Sequence, residues 1–417
     1  MSGLLRFRFA ILGVSAVLVV LAGCADKDPS MLAPDTTAPV VSGLAANSGR
    51  VTWTTDEAAK CVLLYGSATG QYDHYGYSVS DGGADHQVDL IDVAPGTYYA
   101  RVMATDGAGN SSRSNEVALV LDAALDRDKM TFTMVDVGWG DCHFIEFPNG
   151  ATVLIDAGAI GGSCSDFDHR SVIDAFLTAK GVVAPSGIDY MVLTHDHCDH
   201  YGYTHGLLTR FYGTVFLAPE FASEPVWPRM DADLTAKSIE HHGLVEGQTD
   251  ETETFLDWDP EHGIKVKVLS AGAGRFFFAG QSGDSVNCDS AVLKVSYGLV
   301  DFLLMGDGEE FVEDRIIKAY PQDLPCEVLK VGHHGNNDAT SAPFLRRVGA
   351  RVGLIPNSMA ENDGVFDQSV ITLLRDYSVD YYVSDRTYMN AGRYDVARDG
   401  HVAVTTDGET YAVSSWE

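Results

Sequence analysis

Positive charge is what this chain has least of: 28 lysines and arginines stand against 59 aspartates and glutamates, a formal charge of −31. That balance excludes tight nonspecific binding to DNA or anionic lipid, because affinity for phosphate comes from Lys and Arg. It leaves room for a metal-dependent enzyme that touches only a few phosphates. The apolar run near the start is also too short for a comfortable transmembrane helix. Arg6 and Arg8 precede only Phe9 to Leu21, and the run stops at Leu21-Ala22-Gly23-Cys24. A positive start, a short apolar stretch and a small-residue stop describe an export signal. What the chain does have is 45% hydrophobic residues over 417 positions, enough for more than one core, and the length predicts two domains.

The Leu-Ala-Gly-Cys ending resembles a bacterial lipobox, which implies cleavage after residue 23 and lipid on Cys24. Lipid, not charge, would then hold an exported protein at a membrane. Ala25 after that cysteine favours the outer membrane. Residues 24–38 have no periodicity and read as a tether. Residues 39–121 change to short β-rich runs separated by turn residues, among them Val51–Thr55, Cys61–Gly66, Gln87–Leu90, Thr97–Ala104 and Glu116–Val120. Trp53-Thr54-Thr55-Asp56-Glu57, Pro95-Gly96-Thr97-Tyr98 and Asp106–Ser111 resemble a fibronectin type III domain, an all-β immunoglobulin-like sandwich. No convergent polar cluster stands out in it, so a spacer, or a docking surface for a protein partner, is expected. Tyr72, Tyr75 and Tyr77 are expected on a loop, as a carbohydrate-like contact or as the edge of the sandwich.

After a charged connector at 122–129, strands and helices alternate through residues 130–417. Strands are expected at Thr131–Val137, Cys142–Phe147, Thr152–Ile155, Tyr190–Thr194, Thr214–Ala218, Val266–Leu269, Ala291–Tyr297, Phe302–Met305, Glu327–Val331 and Arg351–Ile355. Helices are expected at Ser171–Lys180, Leu234–His241, Glu309–Ala319, Pro343–Val348 and Ser369–Tyr377. This α/β pattern predicts two packed sheets covered by outer helices, an αββα sandwich.

The chemistry concentrates after one apolar run, Tyr190–Leu193, where His195-Asp196-His197-Cys198-Asp199-His200 puts six metal-capable side chains in a row. Imidazole and carboxylate suit zinc and its neighbours. Three more apolar strands end in similar residues. Asp156 follows Leu154-Ile155 and alone would cap a turn. Asp307, between Gly306 and Gly308, could bridge two cations or cap the following helix. His333-His334 alone would be a solvated turn. Four such strand ends could converge on one edge of the sandwich. Asp136-Val137-Gly138-Trp139-Gly140-Asp141 is explained by a tight turn that its glycines permit.

Together these residues resemble the metallo-β-lactamase superfamily over Met130–Glu417, and within it the hydrolase domain of ComEC-type competence proteins and its secreted relatives. The carriers are Asp136–Asp141, Ile155–Gly158, His195–His200, Asn287–Ser290, Met305–Asp307, Lys330–Gly335, Asp399–Val402 and Thr406–Gly408. The resemblance implies two divalent metal ions, zinc with manganese as the alternative. His195 and His197 would bind one ion and Asp199 and His200 the other. Asp307 would bridge them, His333 or His334 would complete the second site, and Asp156 would support the cluster from behind. A hydroxide between the ions would be the nucleophile. Asp199 would orient it, making Asp199 and Asp307 the catalytic carboxylates. The implied activity is a phosphodiesterase on nucleic acid or a small phosphodiester, and the Asp307 and His333-His334-Gly335 contexts place a lactamase or lactonase behind it. The alternative is a surface lipoprotein that binds a partner and carries a degraded metal site. No polytopic channel accompanies the hydrolase, so DNA uptake does not follow.

Three departures from the family pattern matter. Trp139 stands where these relatives usually have Gln, and Tyr201-Gly202-Tyr203 replaces Gly-Gly. The superfamily's third histidine is missing, and Asn287-Cys288-Asp289 occupies its place, 20 residues ahead of Asp307; the ComEC-like pattern also has Asn there, which implies a first metal held weakly or partly by water. His241, His242 and His262 are candidate replacements, though an exposed helix end and a loop explain them better. Besides Cys24 the chain has Cys61, Cys142, Cys164, Cys198, Cys288 and Cys326, and export permits disulfides among them. Cys198 reads as a filler rather than a ligand, and a disulfide there would stiffen the metal loop.

Overall fold

Alternation of apolar side chains along the central strands sends successive residues into different layers. A computed structural model describes residues 35–416, apart from 80–81, 123–124, 126, 159–167, 212–213, 220–233, 236–237, 274–283, 358–366 and 385–399. The export signal, Cys24, Cys164 and most of the tether lie outside the described residues. Before residue 122 the strands are β1 (Val41–Asn47), β2 (Arg50–Thr55), β3 (Lys60–Gly66), β4 (His74–Ser78), β5 (Asp85–Asp89), β6 (Gly96–Thr105), β7 (Ser111–Arg113) and β8 (Val117–Leu121). Beyond it come β9 (Met130–Met134), β10 (His143–Glu146), β11 (Thr152–Ile155), β12 (Tyr190–Val192), β13 (Val215–Pro219), β14 (His241–Leu244) and β15 (Lys265–Ser270). The series ends with β16 (Val292–Tyr297), β17 (Val300–Leu304), β18 (Val328–Lys330), β19 (Val352–Ile355), β20 (Asp380–Val383), β21 (His401–Thr406) and β22 (Thr410–Trp416).

Two sheets face each other. One has six strands in the order β15-β16-β17-β18-β19-β20, and the other has thirteen, running β14-β13-β12-β11-β10-β9-β21-β22-β4-β3-β6-β7 with β8 also on β6. Phe132, Ile145, Val153, Ile155 and Val192 of the large sheet meet Leu293, Val295, Phe302 and Leu304 of the smaller one. The Phe132 and Phe302 rings are 5.7 Å apart. The alternate residues point outward. Phe144, Leu154 and Met191 pack with Ile173, Phe176 and Leu177 of α1 (Arg170–Ala179). Val292, Leu303, Met305 and Leu329 are covered by α4 (Glu310–Ala319), α5 (Ala342–Val348) and α6 (Gln368–Asp376), while two short helices, α2 (Cys198–Tyr201) and α3 (Thr204–Leu208), lie near the metal loop. This is the helix–sheet–sheet–helix layering expected for residues 130–417. Among the described residues no helix is long and apolar enough to cross a membrane.

The N-terminal strands share this architecture. β1, β2 and β5 make a separate three-stranded sheet, while β4 pairs antiparallel with β22 from Thr410↔Ser78 to Ser414↔His74. Tyr75 and Tyr77, expected on a loop, lie on β4 and are buried. Spaced two apart, they face the same way. The Tyr77 ring stacks on Tyr411 at 5.1 Å and its hydroxyl is 2.6 Å from that of Tyr382, so these tyrosines join two regions of the fold and offer no carbohydrate platform. Tyr72 lies outside the strand and donates its hydroxyl to Glu116. Buried Asp89 adds a second tie, pairing with Arg50 at 2.7 Å and with Arg127 at 2.8 Å.

The helix expected at Leu234–His241 does not extend that far. Ser238 takes φ 54°, Phe216 N–H donates to Glu240 O, and His241–Leu244 form β14 alongside β13. The backbone ladder on the open edge of β13 outweighs a helical pattern of that length. His241 and His242 therefore lie on an edge strand, with His242 held by Glu240 at 2.8 Å and stacked on Phe255. His262 is held by Asp259 at 2.9 Å.

Candidate metal centre

β11 and β12 are parallel neighbours in the large sheet, as are β17 and β18 in the small one. Parallel strands deliver their C-terminal ends to one edge, where sites are built. The segments leaving these four strands carry Asp156, His195–His200, Asp307 and His333-His334.

His197 is extended, with φ −96° and ψ 148°, and caps α2, so Asp199 and His200 follow on its first turn. His195 Nε2 lies 3.0 Å from His197 Nδ1 and 3.9 Å from Asp307 Oδ2. His200 Nε2 is 3.2 Å from the same carboxylate oxygen. His334 Nε2 is 3.3 Å from it and 3.4 Å from Asp199 Oδ2. The Nε2 atoms of His200 and His334 are buried and make no hydrogen bond. Imidazole nitrogens converging without hydrogen bonds on a shared carboxylate form a donor set that fits a divalent cation. The geometry separates the two adjacent histidines. His334 joins Asp199, His200 and Asp307, whereas His333 is 4.0 Å from Asp307 and gives its Nδ1 to Asp338 at 2.8 Å. Both have left-handed backbone, φ 44° and 52°, which costs roughly 1–2 kcal/mol per residue and needs tight surroundings. Glu309, not Asp307, stands at the N-cap of α4.

Asp156 sits behind the ligands. Its carboxylate accepts Thr194 N–H at 2.8 Å and Thr194 Oγ1 at 2.6 Å, and lies 2.7 Å from His200 Nδ1. That contact leaves His200 Nε2 aimed forward, the ordinary task of a supporting carboxylate. Two further residues, named in the sequence only within stretches that carry the resemblance, take a part in the site that no local pattern assigns. Asp141 Oδ2 is 2.6 Å from Lys330 Nζ, and Asp141 Oδ1 is 3.3 Å from His334 Nδ1. Lys330, 1% exposed, also donates to Gly306 O at 2.7 Å and lies 3.5 Å from Asp307 Oδ1. A lysine inside the apolar run Val328–Val331 was the available signal for this pair.

Backbone contacts lock the loops together. Asp141 N–H donates to Asp199 O at 2.9 Å, Gly158 N–H to Asp141 O at 2.8 Å and Ala157 N–H to His200 O at 2.7 Å. A Cβ on Gly158 would lie 1.5 Å from Asp199 O, so only glycine permits this approach. Trp139, half-buried in the same turn, sets its ring 6.1 Å from that of His334.

Burial alone would raise the Asp307 carboxyl, but His200, His334 and Lys330 hold it well below its ordinary range. Burial likewise opposes charge on His200 and His334, yet the surrounding carboxylates, Asp307 foremost, hold both well above the usual imidazole value. His195 goes the other way: burial, reinforced by His200, pushes it well down and favours the neutral ring that a metal requires. Cys198 is disulfide-bonded and so is no metal ligand. Cys61, Cys142, Cys288 and Cys326 are free and buried.

The family model of the metallo-beta-lactamase superfamily matches residues 135–356, more than half of the chain. The chain belongs to the metallo-beta-lactamase superfamily. It is 28% identical to ComE operon protein 3 of Bacillus subtilis (strain 168) over 272 residues, which are 63% of this chain and 32% of that protein. It is 26% identical to the uncharacterized protein YcaI of Escherichia coli (strain K12) over 227 residues, 54% of this chain and 25% of that one. The chain thus spans a third or less of the curated relatives it matches. Among solved structures, a point mutant of the CmlA beta-hydroxylase is similar at a TM-score of 0.38 and 9% identity, covering 78% of this chain and 74% of that one. As a member of this hydrolase superfamily, whose domains bind divalent metals, often two, the protein has the Asp141–His200–Asp307–His334 cluster and its neighbours as its candidate metal site.

Proposed function

We propose that this superfamily member is an exported, lipid-anchored phosphodiesterase that uses two divalent cations, zinc or manganese, on nucleic acid or a small phosphodiester. The observation that carries the reading is Asp307 Oδ2, which lies 3.2–3.9 Å from the Nε2 atoms of His195, His200 and His334. In this reading His195 and His197 would hold the first metal and Asp199, His200 and His334 the second, with Asp307 available to either. Bound cations supply Lewis acidity and a nucleophile at neutral pH. The chain's part is to orient and to neutralise. Asp156 fixes the ring of His200, Asp141 lies beside that of His334, and Lys330 balances the two carboxylates that face it.

The resemblance to ComEC-type hydrolase domains, carried by the Asp307 and His333-His334-Gly335 contexts, favours phosphodiesters over lactams. The acidic balance favours a small or phospholipid-headgroup substrate over long DNA, while the family resemblance favours nucleic acid. A disulfide at Cys198 supports a compartment outside the reducing cytosol, as the Leu21–Cys24 signal does. Strands β1–β8 are read as a fibronectin type III-like module.

The test is metal analysis combined with a substrate panel. Wild type incubated with Zn²⁺ or Mn²⁺ is expected to retain more than about one metal per chain. It should hydrolyse bis-p-nitrophenyl phosphate or single-stranded DNA, and His197→Ala should abolish both properties. Hydrolysis of nitrocefin alone would overturn the phosphodiester assignment, and unchanged activity in His197→Ala would overturn the metal mechanism.

A further inference from the structure

The position of the missing histidine is filled by a residue with an unusual hydrogen-bond account. Asn287 is 2% exposed and opens a short 3-10 turn, Asn287–Asp289, just ahead of β16. Its amide nitrogen donates to Glu309 Oε1 at 2.9 Å and lies 3.3 Å from His333 Nε2, which is itself 4.0 Å from Asp307 Oδ2. Its carbonyl oxygen is buried without any hydrogen-bond partner. An amide has two unlike ends. With the donor end committed to a carboxylate, the acceptor end is fixed, and a buried acceptor left unmet is costly.

The surroundings place this turn against the first-metal side. Ser290, the next residue beyond it, accepts Asp307 N–H at 3.0 Å and lies 3.4 Å from His195 Nδ1. Glu309 is not free to act in place of the amide. Its carboxylate accepts Asp284 N–H at 2.9 Å as well as the Asn287 amide. His333 is committed to Asp338.

We infer that Asn287 Oδ1 is the protein ligand standing in for the absent histidine at the first metal, with Glu309 as the positioning residue that turns the amide oxygen toward the ion. This rests on the two-metal reading above. A neutral amide oxygen is a weaker donor to zinc than imidazole, so the first site binds more weakly than the second.

Calorimetric titration of the metal-stripped full chain with Zn²⁺ tests the assignment, with circular dichroism to verify folding. Wild type should bind two ions with separated affinities. Asn287→Ala should weaken the weaker site by at least about tenfold and leave the tighter one unchanged. Asn287→Asp keeps the shape and an oxygen donor, so it should retain both ions even if the alanine variant folds poorly. Glu309→Ala should weaken the same site, whereas Glu309→Gln, which still offers an acceptor to the amide, should restore it. Two unchanged affinities in Asn287→Ala, loss of the weaker site in Asn287→Asp, or a wild type that binds only one zinc would each overturn the inference. A wild type that binds two ions as described yet hydrolyses no phosphodiester would refute the proposed activity and leave the ligand assignment standing.

Discussion

Replacing Lys330 by methionine should destabilise the metal-free protein far more than the metal-loaded one. The ammonium is 1% exposed, 2.6 Å from Asp141 and 3.5 Å from Asp307. Across 2.6 Å at an effective dielectric of about 20, the attraction to Asp141 alone is roughly 6 kcal/mol. The cost of burying the ammonium, which the substitution removes, offsets part of that. Breaking one side of a buried pair typically costs about 3–5 kcal/mol when the remaining charge is left alone, and since Asp141 keeps His334 at 3.3 Å and His143 at 3.4 Å the low end of that range is expected. Methionine keeps the bulk, so little of this is cavity. His200 and His334, held in their charged forms by the same carboxylates, shield Asp307 better than Asp141, so Asp141 bears most of the loss. Divalent cations restore positive charge to the cluster, and with them the penalty should fall to roughly 1–2 kcal/mol. Urea unfolding of wild type and Lys330→Met, each in EDTA and in saturating Zn²⁺, measures both quantities. Asp141→Asn in the Lys330→Met background should recover part of the loss, since contacting charges are not additive. A Lys330→Met variant within about 0.5 kcal/mol of wild type in EDTA would refute the reasoning.

Glu313 makes stability depend on pH. Glu313 is buried beneath Thr340 and Ser341, whose N–H groups it accepts, and burial pushes its carboxyl from 4.5 to about 7. The folded state then holds a proton that the unfolded state releases, so stability should fall as pH rises from about 4.5 to about 7, by on the order of 3 kcal/mol. Glu313→Gln should flatten that part of the stability curve, and an unaltered slope would count against it. Gly158→Ala would drive a methyl into Asp199 O, so the expected result is loss of the second metal, read by zinc stoichiometry; full occupancy would contradict the geometry. Residues 130–417 expressed without the N-terminal strands would strip β22 of β4 and uncover Tyr382 and Tyr411. That fragment should lose cooperative unfolding, and a fragment that melts like the full chain would show the shared sheet to be dispensable.

Much of the candidate site was legible because its Asp and His residues sit at strand ends, where an apolar run stops abruptly. Asp156, His195–His200, Asp307 and His334 all follow that pattern, and parallel pairing brings them to one edge. The adjacent pair His333-His334 could not be resolved in one dimension. The choice depends on two successive left-handed residues that send one ring to Asp199 and the other to Asp338. Asp141 was hidden because a glycine-bounded turn already explained it, and its role comes from contacts with Lys330 and His334, far along the sequence. Lys330 itself illustrates the more general signal: a lone charge inside an apolar strand has to find a counter-charge in the core.

The misplaced tyrosines follow from the same limit. Period-two alternation marks β2, and apolar runs mark β10 and β17, each buried through residues of its own pattern. In β4, His74-Tyr75-Gly76-Tyr77-Ser78, the glycine reads as a turn residue, and nothing local shows that two tyrosines are needed elsewhere. Gly76 is small for a reason supplied by β5, since a Cβ there would come 2.5 Å from Val88. The tyrosine faces are used by β20 and β22, at the far end of the chain, which supply Tyr382 and Tyr411. One edge of β4 pairs with neighbouring β3, but the residues that bury its tyrosines lie at the far end of the chain and cannot be read from its own sequence. The consequence is physical. The strands before residue 122 close the edge that β22 would otherwise expose, so changes in β4 should be felt as loss of hydrolase stability before they are felt at any docking surface.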